Sequence, residues 1–264
     1  MRPYLRLVPT NPAEATLITI PFSHYCEKAR WMLDVSGLRY VEEPHAPVAH
    51  LRATRAVGGR SVPVLVYAGG VLYDSTDIAR HAESVAAPDR RLMPEEPEAR
   101  ARVLALEEEF DETLGNDARL LAYWYNLHEP ALARALVGRM MRLRSPVARH
   151  IVAPLFRQLI FRKYGVDSVS ARAAEARVRA TFAHVSELLL GRRYLVAGRF
   201  TLADLTFAAL ATPLLAPPEH PVIKKGSFTP PPDLAAFRDE LAKTRAGQHV
   251  FSVYREHRAP ASPS

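Results

Sequence analysis

From position 16 the chain reads Thr-Leu-Ile-Thr-Ile, an unbroken β-branched and apolar run that stops at Pro21-Phe22. That is the pattern of a short buried strand. A helix is predicted next, with Ser23 as N-cap, Glu27 near the positive end of the dipole, and Ala29, Met32, Leu33 and, on the flank, Val35 as its apolar stripe. Gly37 ends it. Tyr40 to Glu42 is a second short strand, and a Pro- and His-rich stretch leads into a weakly helical pattern from Val48 to Ala56 that Gly58-Gly59 breaks. Val62 to Tyr67 and Val71 to Tyr73, on either side of Gly69-Gly70, read as a hairpin. Asp74-Ser75-Thr76 can cap a helix from Asp77 to Val85. An order of βαβ followed by ββα needs one parallel pair and added antiparallel strands, hence a small mixed sheet with helices on its faces.

After Ala87 to Pro94, which carries the turn-forming residues of a linker, the strand pattern vanishes. Val103, Leu106, Phe110 and Leu114 recur at helical spacing, and Ala173, Ala176, Ala180, Ala183 and Leu188 predict a further helix ending near Gly191. Thr201 and Asp204 have capping-box spacing ahead of the apolar run Leu205 to Leu215, with Phe200 placed to staple the turn. A last helix is predicted from Asp233 to Lys243. The pattern gives an α/β domain over residues 14–87, an all-helical domain over 95–255, and a Pro-, Ala- and Ser-rich tail over 256–264 expected to be disordered.

At 264 residues, 48% hydrophobic and 24% charged, the chain is long enough for a sizeable core and too apolar for wholesale disorder. One cysteine, Cys26, excludes an intramolecular disulfide framework and a Cys-based zinc site, and no metal is expected. With no signal-peptide pattern at Met1-Arg2-Pro3 and no uncharged stretch near the ~20 residues that span a bilayer, the expectation is a cytoplasmic protein. The formal charge is +7, and its location matters more than its size. Arg134, Arg139, Arg142, Arg144, Arg149, Arg157, Arg162 and Lys163 lie between Pro130 and Gly165 with no acidic residue among them, so these eight cations leave a net −1 on the rest. The same segment, 130–165, is strongly apolar. It fits one or two helices packed into the helical domain with arginines reaching to water, or a peripheral contact with an anionic membrane. No reader motif accompanies the arginines, which disfavours nucleic acid.

Ser23-His24-Tyr25-Cys26 sits at a strand-turn-helix start, where a helix N-terminus stabilises an anion. Ser23 stands where a C-x-x-C pattern has its first cysteine, so dithiol chemistry is excluded, although Cys26 could still form a mixed disulfide or simply fill the core. His24 and Tyr25 are candidates for a pocket edge. A cis peptide at Val62-Pro63 would leave the Val62 backbone for an extended ligand. Asp74-Ser75 offers a carboxylate to an ammonium group, and a hydroxyl and amides to a carboxylate, or serves only as a cap.

In order and spacing, four motifs together resemble the glutathione S-transferase family: PFSHYCEKARWML, SVPVL, LYDST and FTLADLTFAAL, over about residues 14 to 255. The resemblance implies a thioredoxin-like glutathione-binding domain, an all-α second domain, and conjugation of the glutathione thiolate to a small apolar electrophile, with detoxification as the setting. By it, Ser23 takes the catalytic place of serine-type members, Val62 and Pro63 meet the cysteinyl backbone of glutathione, Asp74 and Ser75 hold the γ-glutamyl end, and Arg60 or His50 meets the glycyl carboxylate. It also implies a homodimer and a purely structural Thr201/Asp204 box. Tyr123 and Trp124 are candidate walls of the electrophile site. Two alternatives are a glutathione-dependent thiol-disulfide reductase using Cys26, and a non-catalytic binding or membrane-surface protein using 130–165.

Overall fold

The computed structural model describes residues 15–141, 143–223 and 229–258; Arg142 and positions 259–264 of the expected tail lie outside them. The chain divides into two compact units between Arg100 and Ala101.

The first unit runs β1 (Ala15–Thr19), α1 (His24–Ser36), β2 (Tyr40–Pro44), α2 (His50–Ala56), β3 (Val64–Tyr67), β4 (Gly70–Leu72) and α3 (Ser75–Val85). The sheet order is β2-β1-β3-β4. β1 and β2 are parallel, which requires α1 as crossover, whereas β3 and β4 add as antiparallel neighbours. Side chains alternate across a strand, so Ile18 packs with Ala53 of α2 and Val64 on one face, while Leu17 points to the other and is also fully buried. Ala29, Trp31, Met32 and Leu33 of α1 and Ile78, Ala79 and Ala82 of α3 are buried without residue. Each large side chain among them contributes roughly 1.5–3 kcal/mol by leaving water. Gly37 stops α1 in the left-handed region at φ 72°, where its amide reaches the Asp34 and Leu33 carbonyls.

The hairpin closes through Ala68-Gly69, because Tyr67 pairs with Gly70. The stretch that reads as a linker is partly structured. Pro88–Arg90 forms a single 3-10 turn, and the buried Glu83 carboxylate accepts from the Leu92 amide at 2.9 Å and the Met93 amide at 3.0 Å. Both of those residues are themselves buried.

Helix α4 (Pro97–Glu112) crosses into the second unit, which continues α5 (Leu114–Leu127), α6 (Pro130–Met140), α7 (Pro146–Tyr164), α8 (Ser168–Leu188), α9 (Leu202–Leu210), α10 (Thr212–Leu215), α11 (Pro232–Lys243) and α12 (Arg245–His257). Three expectations change. The periodic set ending at Leu114 spans two helices, with a break at Thr113. Helix α8 forms, but Ala171, Ala174, Val178, Phe182 and Val185 make its buried face, while Ala173, Ala176, Ala180 and Ala183 face water. The larger side chains win the interior because they remove more apolar area from water. Finally, α11 is followed by α12, whose buried Ala246, Val250, Val253 and Tyr254 recur at helical spacing. Gly247 lets α12 start against the end of α11, since a Cβ there would collide with the Leu241 carbonyl oxygen.

The core of this unit is knitted by Phe110, Phe182 and Phe207, whose ring centroids lie 5.2 and 5.3 Å apart. Arg177 of α8 grips Asp117 of α5 with two hydrogen bonds, at 2.9 and 2.6 Å. Asp204 is fully buried and accepts from the Thr201 amide and hydroxyl and from the Leu195 amide, while His249 of α12 lies 2.9 Å away. The capping box thus holds α9, the preceding loop and α12 together. Phe200 is stacked flat on the His257 ring at 4.1 Å.

Candidate functional site

The strand directions bring the candidate groups of the first unit to one end of its sheet. β1 runs toward Thr19, and its antiparallel partner β3 starts at Val64 opposite Ile18. β4 ends at Leu72, opposite Leu65. Parallel to β1, β2 ends at Pro44 opposite Thr19. Four segments therefore leave from this end: the β1–α1 turn with Ser23, the approach to β3 through Val62-Pro63, the β4–α3 turn with Asp74 and Ser75, and the β2–α2 connection leading to His50 at the head of α2. Arg60 is exposed in the α2–β3 loop.

Ser23 is extended at φ −76°, ψ 123°, half-buried, and caps α1 by accepting from the Cys26 amide at 3.4 Å. The cap uses the hydroxyl oxygen as acceptor and leaves the O–H proton for another partner. Cys26 has no exposed surface. Burial pushes its thiol up from the ordinary value, against smaller lowering effects from Arg30 and a Ser23 hydrogen bond. In this state the cysteine packs as a small hydrophobe in the core. His24 is buried with its ring 4.4 Å from that of Tyr25, so only Tyr25 retains partial exposure.

The Val62-Pro63 peptide is cis. Because β3 begins only at Val64, the Val62 backbone lies outside the strand ladder, while its side chain packs on Ile18, Ala53 and Val64. Asp74 is the exposed N-cap of α3, its Oδ1 accepting from the Thr76 amide at 2.7 Å. Ser75 follows it as the first residue of α3, with 2% exposure, among the first-turn residues whose amides have no partner within the helix.

Sequence reasoning missed the charged network beneath these groups. Arg30 is buried in α1 and donates to Glu42 at 2.8 Å, to Glu27 at 3.1 Å and to the Pro21 carbonyl at 3.1 Å. Thr19 donates to the same Glu42 oxygen at 2.5 Å. Burial alone would lower the Arg30 guanidinium, but Glu42 and Glu27 outweigh it and hold it above its ordinary value. The effect is to fix the β1–α1 turn, and with it Ser23, to β2. Lys28, also buried, donates to the Thr76 hydroxyl at 3.0 Å and ties α1 to the first turn of α3. Tyr73 donates to the Val57 carbonyl at 2.8 Å, tying the Asp74 turn to the end of α2. The signal available in the sequence was three charged residues, Glu27, Lys28 and Arg30, interleaved with Cys26, Ala29, Trp31, Met32 and Leu33 on a helix too apolar to present a wide wet face.

In the second unit Tyr123 stacks on Tyr164 at 5.2 Å and Trp124 on His128 at 4.9 Å. Tyr123 is thereby committed to packing α5 on α7. Burial, then the neighbouring Tyr164, pushes its phenol well above the ordinary range.

Residues 17–90 match the family model described as the glutathione S-transferase N-terminal domain. A search of curated proteins found no match. Among solved structures, beta-etherase LigF from Sphingobium sp. strain SYK-6 superposes with a TM-score of 0.57 at 19% identity, covering 90% of this chain and 98% of that one. The theta class glutathione S-transferase from the citrus canker pathogen Xanthomonas axonopodis pv. citri, solved with glutathione bound, gives 0.52 at 22%, covering 91% and 98%. The glutathione transferase URE2P8 from Phanerochaete chrysosporium, solved with oxidized glutathione, gives 0.54 at 12%, covering 94% and 97%. Residues 17–90 thus match a glutathione S-transferase N-terminal domain, thioredoxin-like in topology, and the chain, with its helical second unit, has the glutathione S-transferase fold.

Proposed function

We propose that this protein is a glutathione S-transferase of the serine type, conjugating the glutathione thiolate to a small apolar electrophile. The observation that carries the reading is the Ser23 hydroxyl at the N-terminus of α1, at the sheet end shared with Val62-Pro63 and Asp74-Ser75. Two of the structural relatives above were solved with glutathione or its oxidized form.

In this mechanism glutathione lies along that sheet end. The Val62 amide and carbonyl pair with its cysteinyl backbone. The Asp74 carboxylate accepts from its α-ammonium group, and the first-turn amides of α3 at Ser75 receive the adjacent carboxylate. Arg60 or His50 meets the glycyl carboxylate. The thiol sulfur comes to Ser23, whose oxygen accepts from the Cys26 amide and whose O–H proton is left to donate to sulfur. That donor and the positive end of α1 favour the thiolate, and the thiol proton leaves to solvent. The thiolate then forms a C–S bond with the electrophilic carbon as the leaving group departs with the bonding electrons. The same reading carries a cytoplasmic homodimer. This reading gives Cys26 no chemical role, its thiol having no exposed surface.

The test is steady-state conjugation of glutathione to chlorodinitrobenzene. Ser23→Ala is expected to lower kcat/KM by about a hundredfold, the scale of one lost anion-stabilising donor. Glutathione should still raise the Tm of that variant in a concentration-dependent way. Full activity in Ser23→Ala would remove Ser23 from the mechanism. A Tm of the natural protein indifferent to glutathione would remove glutathione.

A further inference from the structure

Helix α7 has an apolar face on both sides, and only one is used. Its inner face, Ala153, Phe156 and Ile160, joins Leu127 of α5 and Ala133 and Val137 of α6 in one buried cluster. On the opposite side Val147, Ile151, Leu155 and Leu159 are 68%, 58%, 61% and 52% exposed. Each follows the last by four residues, so they form one ridge of branched aliphatic side chains running about 18 Å along the helix. The other exposed large apolar side chains are scattered over separate elements, as on any soluble surface. A continuous ridge is different, because water-facing apolar area of this extent marks an interaction surface.

The charges around the ridge identify the surface it fits. Arg149 and Arg157 help hold the helices together, Arg149 donating to the Leu143 carbonyl and Arg157 to the Leu127 carbonyl, both at 2.8 Å. Arg144 just ahead of α7, and Arg162 and Lys163 in its last turn, are exposed at the two ends of the ridge. Arg162 follows Leu155 by seven residues and so continues the same face. Exposed Arg139 adds a cation in the last turn of α6. No carboxylate occurs from 130 to 165 to repel an anion, and outside this segment the chain is nearly neutral. Aliphatic side chains flanked by cations match a bilayer interface, in which the ridge sinks to the acyl boundary while guanidinium and ammonium groups meet lipid phosphates.

We infer that the outer face of α7 is a peripheral docking surface for anionic lipid bilayers. It lies on an interfacial helix and not a spanning one, since no helix among the described residues is long and apolar enough to cross a membrane. The inference is independent of the transferase reading.

Co-sedimentation of the full chain with vesicles tests it, using phosphatidylcholine alone and phosphatidylcholine mixed with phosphatidylglycerol. The protein should pellet with the anionic vesicles and stay in solution with the neutral ones. Ile151→Asn/Leu155→Asn should reduce the partition coefficient at least about tenfold, by removing buried apolar area. Arg144→Gln/Arg162→Gln/Lys163→Gln should do the same by removing phosphate contacts. All five side chains are exposed, so circular dichroism should find both variants folded, and the charge variant decides the matter if the apolar one is not. Equal pelleting with both vesicle types, or binding indifferent to both variants, would overturn the inference. So would light scattering in which Ile151→Asn/Leu155→Asn dissociates an oligomer while the natural protein ignores anionic vesicles, for the ridge would then belong to a second copy of the chain.

Discussion

Ser23 and Cys26 are three residues apart in one helical turn, and their surroundings give them opposite chemistry. Ser23 ends the extended backbone and keeps a proton to donate, whereas Cys26 faces the interior with no exposed surface and a thiol raised by burial. The thiol is therefore expected to react with Ellman's reagent at least about a hundredfold more slowly in the native protein than in guanidinium, and a fast native reaction would show it to be accessible. Because the chain has one cysteine, the absorbance change reports this site alone. Both fates were partly legible, since capping is a local property and a cysteine one turn into a helix commonly faces the core. The Arg30 network was not, because three charges in one turn read as a wet face until a neighbouring strand supplies Glu42 and a turn supplies the Pro21 carbonyl. Nothing in the spacing of residues 27 to 30 announces a partner twelve positions further on.

At the scale of elements, punctuation was read well and faces less so. The caps at Ser23, Asp74 and Thr201 and the stop at Gly37 stand where the sequence puts them, because each depends on side chains within one turn. The buried face of α8 lies one position, about 100°, from the one its alanine spacing predicts, a shift that alanines permit because they are compatible with either side of a helix. Helix α12 is harder to see in the sequence although its apolar spacing is regular, since Arg245, Gln248, Arg255 and Glu256 dilute the pattern. What joins α12 to α9 is Asp204, which has no exposed surface and receives partners from Thr201, Leu195 and His249. Asp204→Ala strands several buried donors at once and should lower unfolding free energy by about 3 kcal/mol or more, measured by urea denaturation. A loss under about 1 kcal/mol would mean that the box is a local cap and not a junction between elements.

For the molecule as a whole, the sequence located the charge but not its use. Placing the surplus in 130–165 needed only counting, while the division of that segment's apolar residues into an inner cluster and an outer ridge needed the packing of α6, α7 and α5. Charge also sets how stability follows pH. Burial lowers the His257 and His81 pKa values below the ordinary 6.5, so the unfolded chain takes up protons first as pH falls, and stability is lost on passing down through that range. Glu240 and Glu256 are lowered below 4.5 by Arg179 and Arg193, so the stability they add is present above that value and lost beneath it. Thermal melts should accordingly show two declines of Tm on acidification, the first shallower in His257→Gln; a Tm flat between pH 7.5 and 5.5, about a unit to either side of that range, would contradict it.

Glu83 bears on where the polypeptide can be cut. The composition of residues 87–94 invites division there, yet the carboxylate of Glu83 beneath that stretch has its two amide donors at Leu92 and Met93. A fragment ended at residue 87 would carry a buried acid with its donors removed, in the helix that also presents Asp74 and Ser75. Anyone separating the first unit for expression should let it run past Met93, and a tryptic nick at Arg90 or Arg91 becomes a readout of whether the end of α3 is intact.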